Sequence, residues 1–379
     1  MMQLALDIFH DIVYNIIEHD LICYKIRNAM REFAYKKQYS DILSPEIVTL
    51  ISLIHEFKGQ YALLSAAKSD TIKQQLETVK TQSVEASNRI EGIVTDDERL
   101  KLLVLEKTVP RTKSEKEIAG YRDVLSAIYE NYDYILPRPS FILQLHRELY
   151  KFIGSSIGGS YKSSGNISAG ESKDIYYTHI SASETPEAIQ IICDELETAL
   201  GGGDLDPLVI IPMFILDFIC IHPFSNGNGR MSRLLTLLLL FRSGYDIGRY
   251  ISLEKLIADD ADSYYRVLEK SSAGWLEGVN DYAPFVRYML ESITAAYREF
   301  TEKIKPLTET KPTKEARIRA LIQDHDGYIT KSEIAAMCPD ISEVTVERSL
   351  AKLRTAGDIL KIGGGRYTKY TWNRDMEKN

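Results

Sequence analysis

Cysteine is scarce in this chain, and apolar runs long enough to span a membrane are absent. The four cysteines lie far apart and form no CxxC pair, which argues against a zinc site or a disulfide framework and favours a reduced, cytoplasmic protein. The most apolar stretch, residues 208–221, contains Asp217 and is about 14 residues long, whereas a membrane-spanning helix needs about 20. We therefore expect a buried helix here and no membrane partner.

The N-terminal residues also lack the pattern of a secretory signal, because Asp7, His10 and Asp11 interrupt the apolar positions. Of the 379 residues, 44% are hydrophobic and 26% charged, which excludes a disordered or collagen-like chain. The net charge is −8, yet residues 311–379 hold 13 Lys and Arg against 10 Asp and Glu. A mildly basic tail on an acidic body indicates a contact with DNA at the C-terminus.

The spacing of apolar residues predicts a mainly α-helical protein of several segments. Residues 154–183, rich in Gly and Ser with short strand-like pieces, predict a small β-hairpin flap. The last segment shows three helices and then two strands, the order of a winged helix-turn-helix domain. The predicted segments are an N-terminal helical region (1–80), a central helical domain (81–300), a linker (301–313) and a winged helix-turn-helix domain (314–379).

A polar connection joins two apolar helices predicted at residues 208–221 and 229–242. Its sequence, HPFSNGNGRMSR over residues 222–233, contains Gly227 and Gly229, which permit backbone turns with positive φ. Such turns aim successive N–H groups at one point, and the N-terminus of the following helix adds its dipole. The backbone of this connection is therefore expected to bind an anion.

Three side chains of the same connection suit phosphate chemistry. Arg230 and Arg233 lie about one helical turn apart, so both guanidinium groups can face phosphate oxygens. His222 ends the preceding helix, and an imidazole can act as a base near neutral pH. Each feature alone has an ordinary structural explanation. Together, within twelve residues, they predict a phosphate site with a base at its mouth.

The stretch HPFSNGNGRMSR resembles the signature HxFx(D/E)GNGRxxR of the Fic family. The resemblance extends over roughly residues 80–290 and includes 87–92, 117–121 and the flap. Fic enzymes are mostly helical and transfer AMP from ATP to a protein hydroxyl. The resemblance thus implies a mainly α fold, with a Fic helical core, a small β-hairpin flap and, after it, the winged helix-turn-helix domain.

The resemblance also implies a role for individual residues. His222 would deprotonate a Ser, Thr or Tyr hydroxyl of a target protein, and Phe224 would be the buried anchor of the loop. Ile167 in the flap would align the target by strand pairing. The resemblance implies that eight residues bind the nucleotide. Tyr264 and Tyr265 would lie at the nucleoside. The residues around the phosphates would be Asn226, Gly227, Asn228, Gly229, Arg230 and Arg233.

Asn226 departs from the family pattern, in which an acidic residue at this position binds Mg²⁺. An amide oxygen is a neutral ligand for a hard cation, so the affinity for Mg²⁺ should fall. Water and the ATP phosphates can still supply most of the coordination shell. The departure lowers the expected rate of AMP transfer and leaves room for a different donor.

Residues 87–92, SNRIEG, resemble the inhibitory motif (S/T)xxxE(G/N) of the family. The motif residues are Ser87, Glu91 and Gly92, and the implied partner of Glu91 is Arg233. A carboxylate on Arg233 would compete with the γ-phosphate for the same cation, which implies autoinhibition. In some members of the family the same glutamate positions a water for the removal of AMP.

The sequence leaves three functions open. The first is an autoinhibited protein adenylyltransferase that uses ATP and Mg²⁺. The second is a DNA-binding regulator whose Fic domain senses a nucleotide, and the third is a Fic enzyme with another donor or with AMP-removing activity. In the second case the helix over 342–354 would enter a DNA groove, although Glu343 and Glu347 on it would repel phosphate. The oligomeric state, including a homo-oligomer, stays open.

Overall fold

A computed structural model describes residues 31–66, 69–154, 157–163, 180–309, 313–325 and 327–373. The chain divides into two compact units, one up to Thr301 and one from Glu302 onward. The helices that begin in the first unit are α1 (Tyr35–Ile42), α2 (Pro45–Ala66), α3 (Ser69–Ile90), α4 (Asp97–Val104), α5 (Lys113–Asn131), α6 (Pro139–Leu149), α7 (Thr185–Gly201), α8 (Pro207–Ile221), α9 (Asn228–Arg242), α10 (Leu253–Asp259), α11 (Ala261–Ser272) and α12 (Ala283–Glu309).

Helices α8 and α9 form the centre of the first unit and pack against each other. Helix α8 begins where Asp206 caps it, accepting a hydrogen bond from the Leu208 N–H, and where Pro207 occupies the first turn. Residues 208–221 are all buried, as expected for a helix that is apolar on every side. The two helices predicted on either side of the polar connection are confirmed. Among the described helices, none is both long and apolar enough to cross a bilayer.

The surrounding helices bring residues 87–92, the segment SNRIEG, to this pair. Helix α3 packs against α5 and α10, and its last turn reaches α9. The helix ends at a Schellman turn, in which the Gly92 N–H donates to the Arg89 carbonyl and the Ile93 N–H to the Asn88 carbonyl. Gly92 has φ of 73°, a conformation that favours glycine. The turn ends α3 one residue before Glu91 and fixes the direction of that side chain.

The charged residue inside α8, Asp217, is buried among hydrogen-bond donors. Its carboxylate accepts from the Tyr35 hydroxyl at 2.9 Å, the Trp275 Nε1–H at 2.7 Å and the Tyr282 hydroxyl at 2.8 Å. Burial raises the pKa of Asp217, and the nearby Arg31 guanidinium acts in the opposite direction. Because Tyr35 lies on α1, this cluster ties the N-terminal helical region to the central helix.

The second unit contains three short helices and a small antiparallel sheet. Its elements are α13 (Lys314–Asp324), β1 (Ile329–Thr330), α14 (Lys331–Met337), α15 (Glu343–Ala356), β2 (Ile359–Ile362) and β3 (Lys369–Trp372). The strand order is β1-β3-β2, with Ile359 opposite Trp372 and Ile329 opposite Tyr370. The order of helices and strands follows the sequence prediction, with β1 as an additional strand. The assignment to the winged helix-turn-helix class stays a prediction.

Two of the predicted segment boundaries fall within helices, and the division into segments stays a prediction. Helix α12 continues to Glu309, so most of the predicted linker 301–313 is helical despite Pro306. Helix α3 runs from Ser69 to Ile90 and so crosses the boundary predicted between residues 80 and 81. Ile167 and most of the predicted flap 154–183 lie outside the described residues, as do residues 1–30. The described part of the flap range, residues 154, 157–163 and 180–183, contains no strand, so the hairpin stays a prediction.

Candidate active site

The loop between α8 and α9 is built on two residues with positive φ. His222 ends α8 in the left-handed conformation, with φ of 51° and ψ of 62°, and its N–H donates to the Phe218 carbonyl. Gly227 has φ of 83° and directly precedes α9. Asn228 closes the loop, since its Oδ1 accepts from the Phe224 N–H and its Nδ2 donates to the Phe224 carbonyl at 2.7 Å. The loop is thereby fixed before any ligand binds.

Phe224 is fully buried, as expected of an anchor, and lies against His146 of α6. The two rings stack with their centroids 3.6 Å apart and their planes 5° from parallel. His146 Nδ1 accepts a hydrogen bond from the Gly159 N–H, and its Nε2 lies 3.0 Å from the Asn226 carbonyl oxygen. A carbonyl can only accept, so Nε2 carries the proton and the ring is neutral. Burial lowers the pKa of His146 to about 4.

Arg230, in the first turn of α9, is buried and held by three side chains. Its Nη2 donates to Glu117 Oε2 at 2.6 Å and to the Tyr150 hydroxyl at 2.7 Å. Its Nη1 lies 3.5 Å from Asn88 Oδ1. The Nε of Arg230 is buried and has no hydrogen-bond partner among the described residues. One buried donor of this guanidinium is therefore unsatisfied within the described residues.

Arg233, one turn further along α9, is buried against the end of α3. Its Nε donates to the Ser87 hydroxyl at 2.8 Å, and its Nη2 donates to the Ser87 carbonyl at 2.9 Å and to Glu91 Oε1 at 2.7 Å. The Arg233 side chain is 4% exposed and that of Glu91 25%. The carboxylate thus reaches a buried cation from a place that remains open to solvent.

The Glu91 carboxylate also lies directly over Gly229, in the first turn of α9. A Cβ atom on Gly229 would come within 2.2 Å of Glu91 Oε1, so only glycine leaves room for the carboxylate there. A cavity of ≈ 180 Å³ opens beside it. The cavity is lined by Glu91, Ile93, Lys113, Glu117, Tyr150, Ile153, Ile157, His222 and residues 225–230.

The charges around this cavity favour an anionic ligand. The N-terminus of α9 presents backbone N–H groups and the positive end of the helix dipole, and two buried guanidinium groups lie in its first two turns. Glu117 balances one of them and Glu91 the other. A ligand that brings two or more phosphate charges could replace Glu91.

The Fic/DOC family matches residues 136–240, a range that contains helices α6 to α8, the whole loop and most of α9. The chain carries a Fic/DOC domain. Two curated relatives are each named protein adenylyltransferase Fic. The protein from Drosophila virilis is 26% identical over 212 residues, which are 53% of this chain and 37% of that protein. The protein from Aedes aegypti is 28% identical over 153 residues, which are 40% and 26%.

Solved structures of Fic proteins have a similar fold. A Fic family protein from Desulfovibrio desulfuricans gives a TM-score of 0.59 at 22% identity, over 88% of this chain and 97% of that one. Fic-1 from Caenorhabditis elegans gives 0.55 at 19% identity, over 69% and 73%. The predicted mainly helical Fic fold is confirmed. The chain spans only 26% and 37% of the two curated relatives, so their names suggest an activity for it without establishing one.

The Fic domain brings many of the predicted site residues together. Tyr264 and Tyr265 on α11 are not among the residues that line the cavity, although Tyr264 is near enough to Arg233 and Glu91 for their charges to act on its pKa. Tyr264 is buried in an aromatic cluster with Phe285 and Tyr288, at centroid distances of 6.2 and 5.9 Å, and burial raises its pKa. The side chain of Asn228 is occupied within the loop. Its contact with a phosphate would therefore come from its backbone N–H at the start of α9.

Sequence reasoning did not single out three residues that shape the site. Tyr150 and His146 are four residues apart at the end of α6, a spacing that places both on one face. The third, Lys162, donates from Nζ to the Ile221 carbonyl and from its backbone N–H to the Pro223 carbonyl. The helical spacing of His146 and Tyr150 was a usable signal. Lys162 follows a Gly-rich turn and gives no local signal of its contacts.

The donor set beside Asn226 does not make a magnesium site by itself. The two nearby carboxylates, Glu91 and Glu117, are both bound to arginines. Among the described residues there is no group of three or more His, Cys, Asp or Glu side chains that could hold a metal ion. The amide oxygen of Asn226 is one neutral ligand. A Mg²⁺ ion here would depend on phosphate oxygens and water for most of its ligands.

The neutral state of His146 predicts a loss of stability in acid. With an ordinary pKa of about 6.5 and a folded value of about 4, the unfolded chain takes up the proton first as the pH falls. The contribution of His146 to the free energy of unfolding should therefore fall by about 2 kcal/mol when the pH is lowered from 7 to 5. Denaturant unfolding at both pH values should show that loss in the native sequence and not in His146→Gln.

The matched control is His325→Gln, which changes a histidine of the second compact unit. This variant should keep the full pH dependence of unfolding of the first unit. Equal pH dependence in the native sequence and His146→Gln would show that the ring is not held neutral by its contacts.

Proposed function

We propose that the chain is an autoinhibited protein adenylyltransferase, which transfers AMP from ATP to a Ser, Thr or Tyr hydroxyl of a target protein. The observation that carries the proposal is the position of Glu91. Its carboxylate lies over Gly229 and on Arg233, where the N-terminus of α9 would otherwise receive an anion. The names of the relatives from Drosophila virilis and Aedes aegypti point to the same activity.

The proposed reaction assigns each part of the loop a task. Backbone N–H groups of residues 227–229 and the Arg230 guanidinium hold the phosphates of ATP. His222 accepts the proton of the target hydroxyl, whose oxygen forms a bond to the α-phosphorus. The bond between that phosphorus and the oxygen bridging to the β-phosphate breaks, and pyrophosphate leaves with the electron pair. Positive charge at the head of α9 stabilises the leaving group.

The proposed inhibition follows from competition for one cation. Arg233 is buried, so it needs an anionic partner, and Glu91 provides one within the folded chain. A γ-phosphate oriented by Arg233 requires the same donor. Ser87 keeps its two hydrogen bonds to Arg233 in either case, so the arginine stays in place when Glu91 leaves. The inhibition is thus local to the tip of α3.

Substitution of Glu91 should release the activity. We expect Glu91→Gly to raise self-labelling from α-labelled ATP at least about tenfold, because one charge-assisted hydrogen bond to Arg233 is worth that much in competition. The second change His222→Ala in the same variant should abolish the gain. The measurement is protein-bound label against time, with ATP binding measured in parallel.

Glu85→Gly is the matched control, because Glu85 lies on the same helix, is exposed and pairs with Arg89 instead of the site. Labelling that rises equally in both glycine variants would point to a general loosening of α3. ATP binding without labelling in any variant would contradict the transferase. It would favour a nucleotide sensor or a different donor.

Asn226 offers a second test, directed at the metal. A carboxylate at this position adds a charged ligand for Mg²⁺, so Asn226→Asp in the Glu91→Gly background should lower the Mg²⁺ concentration that gives half-maximal transfer by about tenfold. Ser225→Asp places the same charge one residue away on the exposed part of the loop and is the control. The idea fails if a Mg²⁺ titration gives the same midpoint for Asn226→Asp and the Glu91→Gly parent.

The alternative of a DNA-binding regulator rests on the second unit, and its surface charges do not favour it. Several basic residues of this unit are paired with carboxylates, including Lys331 with Glu347 and Lys352 with Glu315. A lysine that is already paired contributes less to counterion release from DNA. DNA binding therefore stays a prediction, as does the homo-oligomer.

A further inference from the structure

His222 has a backbone conformation that the sequence does not favour. Its φ of 51° and ψ of 62° place a residue with a Cβ atom in the left-handed region, which costs about 1–2 kcal/mol. Gly227, in the same loop, also has a positive φ, but glycine lacks a Cβ atom and adopts this conformation without that cost. A non-glycine residue in this conformation persists only when the surrounding contacts impose it.

Lys162 makes contacts on both sides of that residue. Its Nζ donates to the Ile221 carbonyl at 3.0 Å, and its backbone N–H donates to the Pro223 carbonyl at 2.9 Å. The two bonds hold the peptide group that precedes His222 and the peptide group that follows Pro223. We call this pair of hydrogen bonds the Lys162 clamp.

The ammonium group in the clamp is buried at a cost. Lys162 is 6% exposed, and burial lowers its pKa to about 8. The described residues include no carboxylate in an ion pair with it. Its Nζ instead donates to a carbonyl at the C-terminal end of α8. A cation is favourable at this end of a helix because the last carbonyls and the negative end of the helix dipole lie there. A buried ammonium group at this position, with no ion pair among the described residues, indicates that Lys162 has a specific task.

We propose that Lys162 is a positioning residue, whose clamp holds His222 in the left-handed conformation and so directs its imidazole into the cavity. The inference rests on the proposed function, in which His222 is the base. The clamp acts on the backbone of residues 221–223 and not on the head of α9. Its loss should therefore impair proton transfer and leave nucleotide binding nearly intact.

The test compares Lys162→Met with Lys58→Met, both in the Glu91→Gly background. Lys58 is a matched control: its Nζ donates to the carbonyl of Ser243, the residue that caps the far end of α9, and burial lowers its pKa too. We expect Lys162→Met to lower kcat of self-labelling by about 10–100-fold while the Kd of ATP changes less than about threefold. Lys58→Met should keep both values.

A second measurement does not depend on activity. Hydrogen exchange of peptides covering residues 218–226 should become about tenfold faster in Lys162→Met, because the His222 N–H bonds to Phe218 next to the clamp. The same peptides should be unchanged in Lys58→Met. Slower turnover with faster exchange supports the proposal.

Unchanged kcat overturns the positioning role, whatever the exchange shows, and unchanged exchange overturns the clamp. If Glu91→Gly itself transfers no label, the proposed function fails. The clamp on His222 is then supported or overturned by hydrogen exchange alone.

Discussion

Positive charge accumulates at the head of α9, and the first unit is arranged to balance it. The helix dipole, Arg230 and Arg233 meet there, and both guanidinium groups are buried where water cannot hydrate them. Each therefore requires partners within the chain. Glu117 of α5 and Tyr150 at the end of α6 supply those of Arg230, while α3 supplies those of Arg233. The positions of these three helices relative to α9 follow from this requirement.

The two carboxylates that bind these arginines differ in how far they are exposed. Glu117 is almost fully buried, as is its partner Arg230. Glu91 is a quarter exposed and follows the last residue of α3, beyond which the Schellman turn at Gly92 ends the helix. Under the proposed inhibition, Glu117 would stay in place and Glu91 would be the carboxylate that an external anion replaces. Both kinds of pairing occur within one turn of α9.

Much of this could be predicted from the sequence, for physical reasons that apply to particular residues. The loop was recognisable because glycines, two arginines and a histidine lie within twelve residues between two apolar runs. The motif that carries Glu91 was recognisable only beside that loop. His146 and Lys162 were not singled out, because their partners are backbone carbonyls far along the chain. Every residue has such a carbonyl, so the residue types do not indicate which one is bound. Much of the predicted linker is helical because one proline did not end the long amphipathic helix α12, and the division into segments stays a prediction.

Backbone contacts also explain why Asn226 can stand where an acid is usual without disturbing the loop. His146 holds the Asn226 carbonyl, Lys162 holds the carbonyls on either side of His222, and Asn228 binds both backbone groups of Phe224. Asn226 is exposed and its side chain makes none of these bonds. The shape of the loop is thus independent of the residue type at 226. Asparagine there alters the chemistry available to a bound cation and leaves the fold of the loop as it is.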